Sequence, residues 1–350
     1  MGHRLGIIGA GGIGAIHAET ARRAGHPIDV VCDADAECAN AFAATHEIAD
    51  IATDLDALLD GMVDAVIIAV PNDLHVPLAC KAIDAGVDVL LEKPMAEQLD
   101  ACAPLVHAAE KSDRIVQLNF VTRQAPAVRA AMPLVTSGVL GNIYHVQATM
   151  VRQRGVPGLG RWFTTKARSG GGVLIDLGVH VIDLVMQLTG RPTATSVAAD
   201  CRCEFAHAIN DYQFDEMWSG PPNPGGICDV EDTANAFIRF DTGMTLQLTL
   251  AWASNVAPGV MTEGIVLCGD QGACHIDAWG GVAHLMHGRG GHIEDEHLEV
   301  DSDDPWNAAW ERQHRHFAEL CASRSPASAP VQHGLDAQRV IEAIYEAGEM

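Results

Sequence analysis

Three polar residues recur along one apolar stretch of the chain at the spacing of a helix face. Asp176, His180 and Asp183 lie at positions i, i+4 and i+7, and the residues between them are mainly leucine, isoleucine and valine. Because burying a charge without partners is costly, we expect these side chains to line a cavity. A carboxylate one turn from an imidazole orients that ring for proton transfer, so the stretch predicts a general acid/base. A core histidine satisfied by a nearby aspartate is the alternative.

A glycine-rich turn near the amino terminus gives that chemistry a context. The pattern G-x-G-x-x-G stands between a predicted strand over residues 4–8 and a helical stretch that reaches residue 24. Such glycines permit a tight turn and let the backbone approach a pyrophosphate at a helix N-terminus, although a surface turn can imitate the pattern. The turn predicts a dinucleotide site formed by Gly9, Gly11, Gly12, Ile13 and Gly14.

An acidic residue follows the second predicted strand, which covers residues 28–32. Asp33 stands about twenty residues beyond the glycines, where a carboxylate holds a ribose 2′-hydroxyl and repels a 2′-phosphate. Residues 34–37 contain no arginine or lysine that would accept such a phosphate. The sequence therefore favours NAD over NADP.

Strands and helices alternate through the remainder of the N-terminal part. This alternation predicts an α/β domain with a doubly wound parallel sheet of the Rossmann type, with strands at residues 48–51, 64–70, 87–91 and 114–120 and helices at 73–85, capped by Asp73, and 97–111. Ligands bind such sheets beyond the carboxyl ends of the strands. Two short motifs lie there, Pro71-Asn72-Asp73-Leu74-His75 and Glu92-Lys93-Pro94, and the bond before Pro94 is a candidate cis peptide.

Length and composition limit the class of protein. A chain of 350 residues is long enough for two domains, and we place the division at residues 1–121 and 122–350. The net charge of −24 argues against nucleic acid and anionic membrane as partners. No apolar run approaches the length of a membrane span and no signal peptide precedes the first strand. Ten scattered cysteines favour a reduced, cytoplasmic protein without a metal site.

Charge is unevenly distributed along the chain. Residues 114–175 contain no aspartate or glutamate but eight arginines and lysines, and this segment leads directly into the helix of Asp176. We expect it to form an electropositive wall that faces an anionic cofactor or an acidic substrate, unless these are ordinary surface arginines. The candidate substrate contacts within it are Arg123, Arg152 and Arg154.

The second half of the chain has the pattern of an α+β domain with a large, open, mainly antiparallel sheet. A helix is predicted at residues 125–137 and strands at 143–154, 234–240, 244–252, 262–268 and 273–276. Residues 215–228 form either a plain connector or a loop over the substrate.

Two features near the carboxyl terminus suggest no chemistry. The histidines His284, His287, His292 and His297 lie in a glycine-rich loop and share no helix face, so they predict no metal site. Trp306, Trp310, Phe317 and Leu320 have helical spacing and predict core contacts of a helix that begins near Pro305, and the last helix covers residues 335–346.

Three motifs in order resemble those of the Gfo/Idh/MocA oxidoreductases, the family of glucose-fructose oxidoreductase and inositol dehydrogenase. They are Pro-Asn-x-x-His after the fourth strand, Glu-Lys-Pro after the fifth, and Gly-Gly-Gly-x-x-x-Asp-x-Gly-x-His-x-x-Asp from Gly170 to Asp183. The resemblance extends over nearly the whole chain. It includes Val230-Glu231-Asp232-Thr233-Ala234 before a strand and Gly269-Asp270-Gln271-Gly272 at a hairpin.

The resemblance implies roles for individual residues. Lys93 matches the lysine that reaches the reacting carbon, and Asp176 and His180 match the rest of the catalytic group. The motif positions that would contact the cofactor are Pro71, Asn72, His75, Glu92 and Lys93, together with Asn119 near the nicotinamide. Trp162 matches a tryptophan that precedes an arginine in the family, but here Phe163 follows it, which puts an arginine contact in doubt. The family's open sheet pairs with another subunit, which implies a homodimer or homotetramer.

These observations predict an NAD-dependent dehydrogenase for a secondary hydroxyl of a sugar, cyclic polyol or related cyclic compound. Hydride transfer needs a base for the hydroxyl proton and a cation for the developing alkoxide. We assign His180 as general acid/base, Lys93 as stabiliser of the oxyanion and Asp176 as the residue that orients them; the rival assignment makes Lys93 the base. An NAD-dependent lyase or glycosidase that oxidises its substrate transiently, and a non-catalytic NAD sensor, remain alternatives, and the intact catalytic residues argue against the sensor.

Overall fold

The computed structural model describes residues 4–52, 54–214, 217–257, 259–261, 263–289 and 292–348, which fold into two compact units. The first unit contains the chain up to Phe120 and the segment Trp310–Leu335, and the second contains Val121–Ala309 and the chain from Asp336 onward. The boundary near residue 121 is where the sequence places it. The sequence gives no sign, however, that part of the C-terminal region returns to the first unit.

The first unit is built on a six-stranded parallel sheet in the order β3-β2-β1-β4-β5-β6. Its central strands are short apolar runs buried on both faces, as is usual when helices cover both sides of a parallel sheet. The predicted doubly wound sheet is confirmed. The strands are β1 (Leu5–Ile8), β2 (Val30–Cys32), β3 (Asp50–Ala52), β4 (Ala65–Ile68), β5 (Asp88–Leu91) and β6 (Val116–Leu118), and the helices are α1 (Gly12–Arg23), α2 (Ala36–His46), α3 (Leu55–Leu59), α4 (His75–Asp84) and α5 (Ala103–Lys111).

Two predicted helices of this unit begin later than the sequence suggests. A 3₁₀ turn over Asn72–Leu74 precedes α4, whose N-cap is Leu74, so the prediction that Asp73 caps the helix is wrong. A second 3₁₀ turn, Asp100–Cys102, precedes α5. Tight turns of this kind are frequent at helix starts and leave little trace in the hydrophobic pattern.

The second unit contains an eight-stranded sheet in the order β14-β13-β12-β11-β7-β10-β9-β8. Neighbouring strands are antiparallel except for the parallel pair β7 and β10, so the predicted mainly antiparallel sheet is confirmed. In β9 buried and exposed side chains alternate, which means that one sheet face is covered and the other is open. The strands are β7 (Ile143–Val151), β8 (Ala194–Arg202), β9 (Thr233–Phe240), β10 (Thr245–Ala251), β11 (Gly264–Gly269), β12 (Gly272–Asp277), β13 (Val282–Arg289) and β14 (His292–His297). Thr262, at the start of the strand predicted at 262–268, lies outside the described residues.

The helices of this unit are α6 (Pro126–Thr136), α7 (Lys166–Ser169) and α8 (Val179–Leu188), and a π-helical turn over Leu174–Gly178 leads into α8. By length and composition alone, Lys166–Leu188 is long and apolar enough to cross a membrane, contrary to the expectation that no run approaches that length. Of its most apolar window, 89% is buried inside the structure, which is typical of a core helix.

The four histidines assigned to a glycine-rich loop lie instead on a hairpin of β13 and β14. His284 pairs with Asp295 and stacks on His297 with ring centroids 4.2 Å apart, and His287 lies 3.7 Å from Glu294. Strand β14 is exposed along its whole length, so its residues show no apolar alternation that would predict a strand. Within the described part of the chain, no group of three or more histidine, cysteine, aspartate or glutamate residues is arranged to hold a metal ion.

The carboxyl-terminal helices are α9 (Pro305–Ser323) and α10 (Val331–Ala347). Phe317 and Leu320 of α9 join the core of the first unit around Ile7 and Leu90, and Trp310 is also buried. Trp306, predicted to be a core residue with them, is 41% exposed. The first turn of α9, which contains Trp306, belongs to the second unit. Trp306 therefore does not share a core with the other three residues, although all four have helical spacing.

Candidate active site

The glycine-rich turn between β1 and α1 has the geometry of a phosphate-binding loop. Gly9 has a φ of +106°, and a Cβ there would lie 2.2 Å from the carbonyl oxygen of Ala69. A Cβ on Gly14 would lie 2.3 Å from the carbonyl oxygen of Gly9, whereas one on Gly11 would meet no described atom within 4 Å. Gly11 is also the N-cap of α1, and no described side chain caps this helix. The start of α1, with Gly12 and Ile13, therefore leaves room and N–H groups for an anion.

Asp33 lies at the carboxyl end of β2, beside this loop. Its Oδ2 accepts the N–H of Ala10 at 2.8 Å, and its Oδ1 accepts the N–H of Asp35 at 2.9 Å. The carboxylate is thus held next to the phosphate-binding turn, where the fingerprint requires a partner for ribose hydroxyls.

The Glu-Lys-Pro turn follows β5 and is anchored by its glutamate. Glu92 is buried; its Oε1 accepts hydrogen bonds from Nε2 of His17, at 2.9 Å, and from Nδ2 of Asn119, and its Oε2 accepts the N–H of Lys93 at 3.1 Å. Burial alone would raise the pKa of Glu92, but the hydrogen bond and charge of His17, with Lys93 and Asn119, hold it below its ordinary value. The Lys93–Pro94 peptide bond is cis, as the sequence suggested.

His75 joins two of the motif turns instead of offering its ring to a cofactor. Its Nδ1 lies 2.7 Å from the carbonyl oxygen of Pro94 and its Nε2 lies 2.9 Å from that of Val70. Burial lowers the pKa of His75, although both carbonyl contacts act in the opposite direction. Because both ring nitrogens are used within the protein, the expected cofactor contact of this side chain is replaced by a positioning role. Pro71 and the buried Asn72 lie beside it, beyond β4.

Asn119, at the end of β6, has an acceptor to offer. Its side chain is fully buried and its amide Nδ2 donates to Glu92. Its Oδ1 has no hydrogen-bond partner among the described residues. A buried carbonyl oxygen of this kind suits an amide N–H such as that of a nicotinamide carboxamide.

In the second unit, a buried glutamate anchors the start of the helical segment that carries Asp176 and His180. Glu231 accepts the N–H groups of Gly172, at 3.0 and 2.9 Å, and of Leu174, at 2.9 Å, and the hydroxyl of Tyr345 donates to it at 2.9 Å. Burial raises the pKa of Glu231, and the hydrogen bonds from Leu174, Gly172 and Tyr345 oppose that shift. The sequence motif around Glu231 was recognised, but its function as an anchor for the glycine triplet was not.

Asp176 lies in the π-helical turn and His180 in the first turn of α8. The Oδ2 of Asp176 accepts the indole N–H of Trp252 at 2.9 Å, and Nδ1 of His180 lies 3.1 Å from the hydroxyl of Thr122. Single π turns within α-helices are frequent at functional sites, because the inserted residue shifts the side chains that follow.

Asp183, the third polar residue of this segment, is held by an arginine. It forms a buried, two-point ion pair with Arg123, with Nε to Oδ2 at 2.7 Å and Nη2 to Oδ1 at 2.5 Å. The prediction that all three polar residues line one cavity is therefore not confirmed: His180 alone of the three lines the pocket described below. Arg123 is likewise committed to this pair and is not placed as a substrate contact.

The expected electropositive wall is broken up by partners from other parts of the chain. Arg154 donates to the carbonyl oxygen of Ser254, at 2.8 Å, and to Oδ1 of Asn255, at 3.0 Å, and its guanidinium lies over the ring of Phe205. Arg161 donates to the carbonyl oxygen of Pro221 at 2.6 Å. The lack of acidic residues within residues 114–175 therefore did not predict which residues contact these arginines in the folded chain.

Trp162 forms part of an aromatic cluster. Its ring stacks on Phe163 with centroids 3.8 Å apart, and Phe163 meets Trp218 edge-on at 5.2 Å. The loop around Trp218 lies against this region, since Ser219 N–H donates to Pro157 and Asn223 N–H to Leu159. In its described part, residues 217–228, the predicted 215–228 loop contains no helix or strand.

A pocket of about 590 Å³ opens within the second unit beside His180. Besides His180 its walls include Thr122, Arg152, Glu263, Trp279 and Trp306. Arg152 is the one among the three candidate substrate arginines that lines it. Glu263, Trp279 and Trp306 were missed because they come from three separate segments with no common motif.

Comparison with known proteins agrees with this architecture. The family model described as the oxidoreductase family with an NAD-binding Rossmann fold matches residues 3–120, and the GFO/IDH/MocA C-terminal domain matches residues 128–275. The D-glucoside 3-dehydrogenase of Escherichia coli (strain K12) is 29% identical over 349 residues, which are 99% of this chain and 95% of that protein. An oxidoreductase subunit for UDP-kanosamine synthesis from Amycolatopsis mediterranei (strain S699) is 34% identical over 209 residues, and the match spans 59% of this chain but only 56% of that relative.

A solved structure of levoglucosan dehydrogenase with NADH and levoglucosan has the same fold, with a TM-score of 0.83 at 20% identity over 100% of this chain and 98% of that one. Family models thus match a segment of each unit, and a solved structure matches the fold of the chain. The chain belongs to the Gfo/Idh/MocA family of oxidoreductases and carries its NAD-binding Rossmann fold.

Proposed function

We propose that this protein oxidises a secondary hydroxyl of a sugar, cyclic polyol or related cyclic compound to a ketone, with transfer of the hydride to NAD. The observation that carries the proposal is the pocket beside His180, whose walls combine an imidazole, a guanidinium, two carboxylates and two indoles. Such a mixture of a few polar groups with aromatic surface suits a polyhydroxylated ring. The relatives, a D-glucoside 3-dehydrogenase among them, support the same substrate class.

The first unit is proposed to bind the cofactor and the second to bind substrate. The N–H groups at the start of α1 would hold the pyrophosphate, Asp33 the adenosine ribose, and Asn119 the carboxamide. NAD is preferred to NADP in this proposal, because the carboxylate of Asp33 would repel a 2′-phosphate. When bound, the nicotinamide supplies the hydride acceptor for the reaction.

The residues of the chain supply the proton chemistry. His180 removes the proton of the substrate hydroxyl while the carbon that bears this hydroxyl gives up its hydride. The ammonium of Lys93 stabilises the negative charge that develops on the hydroxyl oxygen. Asp176 orients the catalytic pair. In the alternative assignment Lys93 accepts the proton. Either way one proton goes to the protein and one hydride to the cofactor, so the alcohol loses two hydrogens and becomes a ketone.

Arg152 is proposed to contact substrate hydroxyls because it lines the pocket beside His180. Trp162 remains a candidate contact through the face of its ring that does not stack on Phe163. Arg123 and Arg154 are not proposed, since their guanidinium groups are held by Asp183 and by the Ser254–Asn255 turn.

The protein is further proposed to be a cytoplasmic homodimer or homotetramer that pairs through the open sheet face. Phe237 of β9 and Met286 of β13 are exposed on that face, where apolar side chains favour contact with a second copy. Light scattering of the purified protein tests this directly, and a monomer at micromolar concentration would contradict it.

A screen of NAD reduction tests the proposed reaction. The purified protein is incubated with NAD and a panel of polyols, aldoses, anhydrosugars and glycosides, and NADH absorbance is followed. We expect the protein to reduce NAD with at least one cyclic compound. Turnover should be lower when NADP replaces NAD. Substrate conversion without net NADH, by protein that retains NAD through dialysis, would favour the transient-oxidation lyase or glycosidase instead. Binding of NAD without conversion of any compound would contradict both enzymatic functions.

A further inference from the structure

Two tryptophans extend the pocket of the second unit beyond His180. Trp279 meets the His180 ring edge-on, with centroids 6.4 Å apart, and Trp306 lies against Trp279 at 4.8 Å with the rings tilted by 54°. Trp306 is 41% exposed although it lines the cavity. A large aromatic ring left partly in water at the wall of a pocket is typical of a surface that a ligand covers.

The pocket is larger than one reacting ring requires. Its volume of about 590 Å³ falls in the range of about 300–1,000 Å³ that encloses drug-sized ligands. Aliphatic side chains complete the wall, among them Val256, Met261 and Ile265. The space beside the tryptophans therefore suits a second ring with an apolar face.

The charges on the pocket wall exclude a strongly anionic occupant. Two carboxylates, Glu263 and Asp277, share the wall with one guanidinium, Arg152. Glu263 accepts the N–H of Val151 and Asp277 accepts that of Trp279, so both are fixed in place. A phosphate or carboxylate in the pocket would be repelled by two carboxylates and attracted by one guanidinium. The positive charge of that guanidinium is already offset by the same two carboxylates.

We propose that Trp279 and Trp306 form a subsite for a second, uncharged ring of the substrate, either an aglycone or a further sugar linked to the ring on which His180 acts. This inference rests on the proposed dehydrogenase function and narrows its substrate class to glycosides. Both aromatic rings and the C–H faces of sugars stack on indoles, and Glu263 accepts hydrogen bonds from hydroxyls at the edge of a sugar ring.

The test compares three derivatives of the sugar that the NAD-reduction screen identifies: its methyl glycoside, its phenyl glycoside and its UDP derivative. For the wild-type protein we expect kcat/KM to be about tenfold higher for the phenyl than for the methyl glycoside, the size of one aromatic stacking contact. The UDP derivative is expected to be the poorest of the three. In Trp306→Ala the phenyl-to-methyl ratio falls close to one, and Trp306→Phe retains most of it.

Trp218→Ala is the matched control, because Trp218 is equally exposed, at 42%, and lies in the separate cluster of Phe163. We expect it to keep the tenfold ratio. Calorimetric titration of the NADH-bound protein with the phenyl glycoside gives a second readout, with weaker binding in Trp306→Ala only.

Equal use of phenyl and methyl glycosides by the wild type, an unchanged ratio in Trp306→Ala, or a preference for the UDP derivative would each overturn the subsite. A wild-type protein that reduces NAD with no sugar refutes the proposed function itself. In that case calorimetric titration of the wild type and of Trp306→Ala with phenyl glucoside still decides whether the tryptophans bind a ring.

Discussion

Nε2 of His17, in the helix that follows the glycine loop, donates to Oε1 of Glu92 at 2.9 Å, and both side chains are buried. Through its other oxygen Glu92 accepts the N–H of Lys93, so the imidazole of His17 braces the turn from which the proposed catalytic lysine emerges. His314 lies 3.3 Å from the second ring nitrogen of His17, and burial lowers the pKa of His314 well below its ordinary value. The dinucleotide loop and the Glu-Lys-Pro motif are thereby linked inside one unit.

Replacement of His17 by alanine should destabilise the fold. The substitution leaves the buried carboxylate of Glu92 without one of its hydrogen-bond donors, which costs about 3 kcal/mol of unfolding free energy. Urea denaturation at neutral pH measures the loss. His26→Ala is the control, since His26 is exposed and a change there stays within about 0.5 kcal/mol.

The same contact predicts a pH dependence. Because the folded-state pKa of Glu92 is lowered, its contribution to stability is complete above the unfolded-state pKa of a glutamate, about 4.3, and is lost as the pH falls through the lower folded value. Stability measured from pH 7 down to pH 3 should therefore fall more steeply in the wild type than in His17→Ala. Parallel curves would show that His17 does not hold the Glu92 charge.

Lys93 and His180 should both be needed for turnover, whereas His180 should not be needed for cofactor binding. We expect Lys93→Met and His180→Asn each to lower kcat by about 10²- to 10⁴-fold, the usual size of a lost acid/base or oxyanion contact. The Kd for NADH, measured by fluorescence, should change little in His180→Asn. The variant that abolishes the acidic limb of the pH–rate profile identifies the proton acceptor. Near-normal turnover in Lys93→Met would refute the mechanism.

Asp33 should set the choice between NAD and NADP. We expect Asp33→Ala to lower the ratio of kcat/KM for NAD to that for NADP by about tenfold or more, because the variant loses a ribose partner and no longer repels a 2′-phosphate. Asp35→Ala is a matched control: it removes an equal charge two residues away, where the side chain caps α2. An equal shift in both variants would mean that net charge, and not the position of Asp33, decides.

Local sequence predicted the parts of the site that local geometry determines. The glycine spacing, Asp33 and the Glu-Lys-Pro turn each lie within a few residues of a strand end, so the chain positions them as soon as its parallel strands form. The same reasoning placed Asp176 and His180 on one helical segment. It did not predict the π-helical turn that contains Asp176, because such a turn has no characteristic residue type.

The missed parts of the site depend on pairing between distant strands. Glu263 precedes β11 and Trp279 follows β12, so the antiparallel register of these two strands brings them together. Trp306 reaches the same wall from the first turn of α9. Arg123 misled for the same reason, since its partner Asp183 is sixty residues away in the chain. The hairpin of β13 and β14 was missed because an exposed edge strand has no apolar face to alternate.

The buried Arg123–Asp183 pair should behave as a structural unit. Asp183→Asn leaves a guanidinium buried without its counter-charge, and we expect a loss of about 3–5 kcal/mol in unfolding free energy. The double variant Arg123→Met, Asp183→Leu should lose less than Asp183→Asn alone, because it buries no unpaired charge. Urea denaturation of Arg123→Met, of Asp183→Leu and of the double variant forms the cycle. Strictly additive losses would show that the two residues do not depend on each other.

Gly172, in the glycine triplet that leads into the π-helical turn, should tolerate no side chain. A Cβ there would lie 1.8 Å from the carbonyl oxygen of Glu231 and 2.9 Å from its carbonyl carbon, and backbone atoms cannot rotate away as a flexible side chain can. The clash would also strain the hydrogen bonds that Glu231 accepts from Gly172 and Leu174.

We therefore expect Gly172→Ala to lower the unfolding free energy by about 3 kcal/mol and to reduce kcat, because the displaced segment carries Asp176. Gly288→Ala is the matched control: within 4 Å its Cβ would meet one described atom, at 3.9 Å, and the change should stay within about 0.5 kcal/mol. Chemical denaturation and steady-state kinetics on both variants measure the two effects. If Gly172→Ala unfolds at the wild-type urea concentration with unchanged kcat, the close approach of this glycine to Glu231 has no consequence for the placement of the catalytic helix.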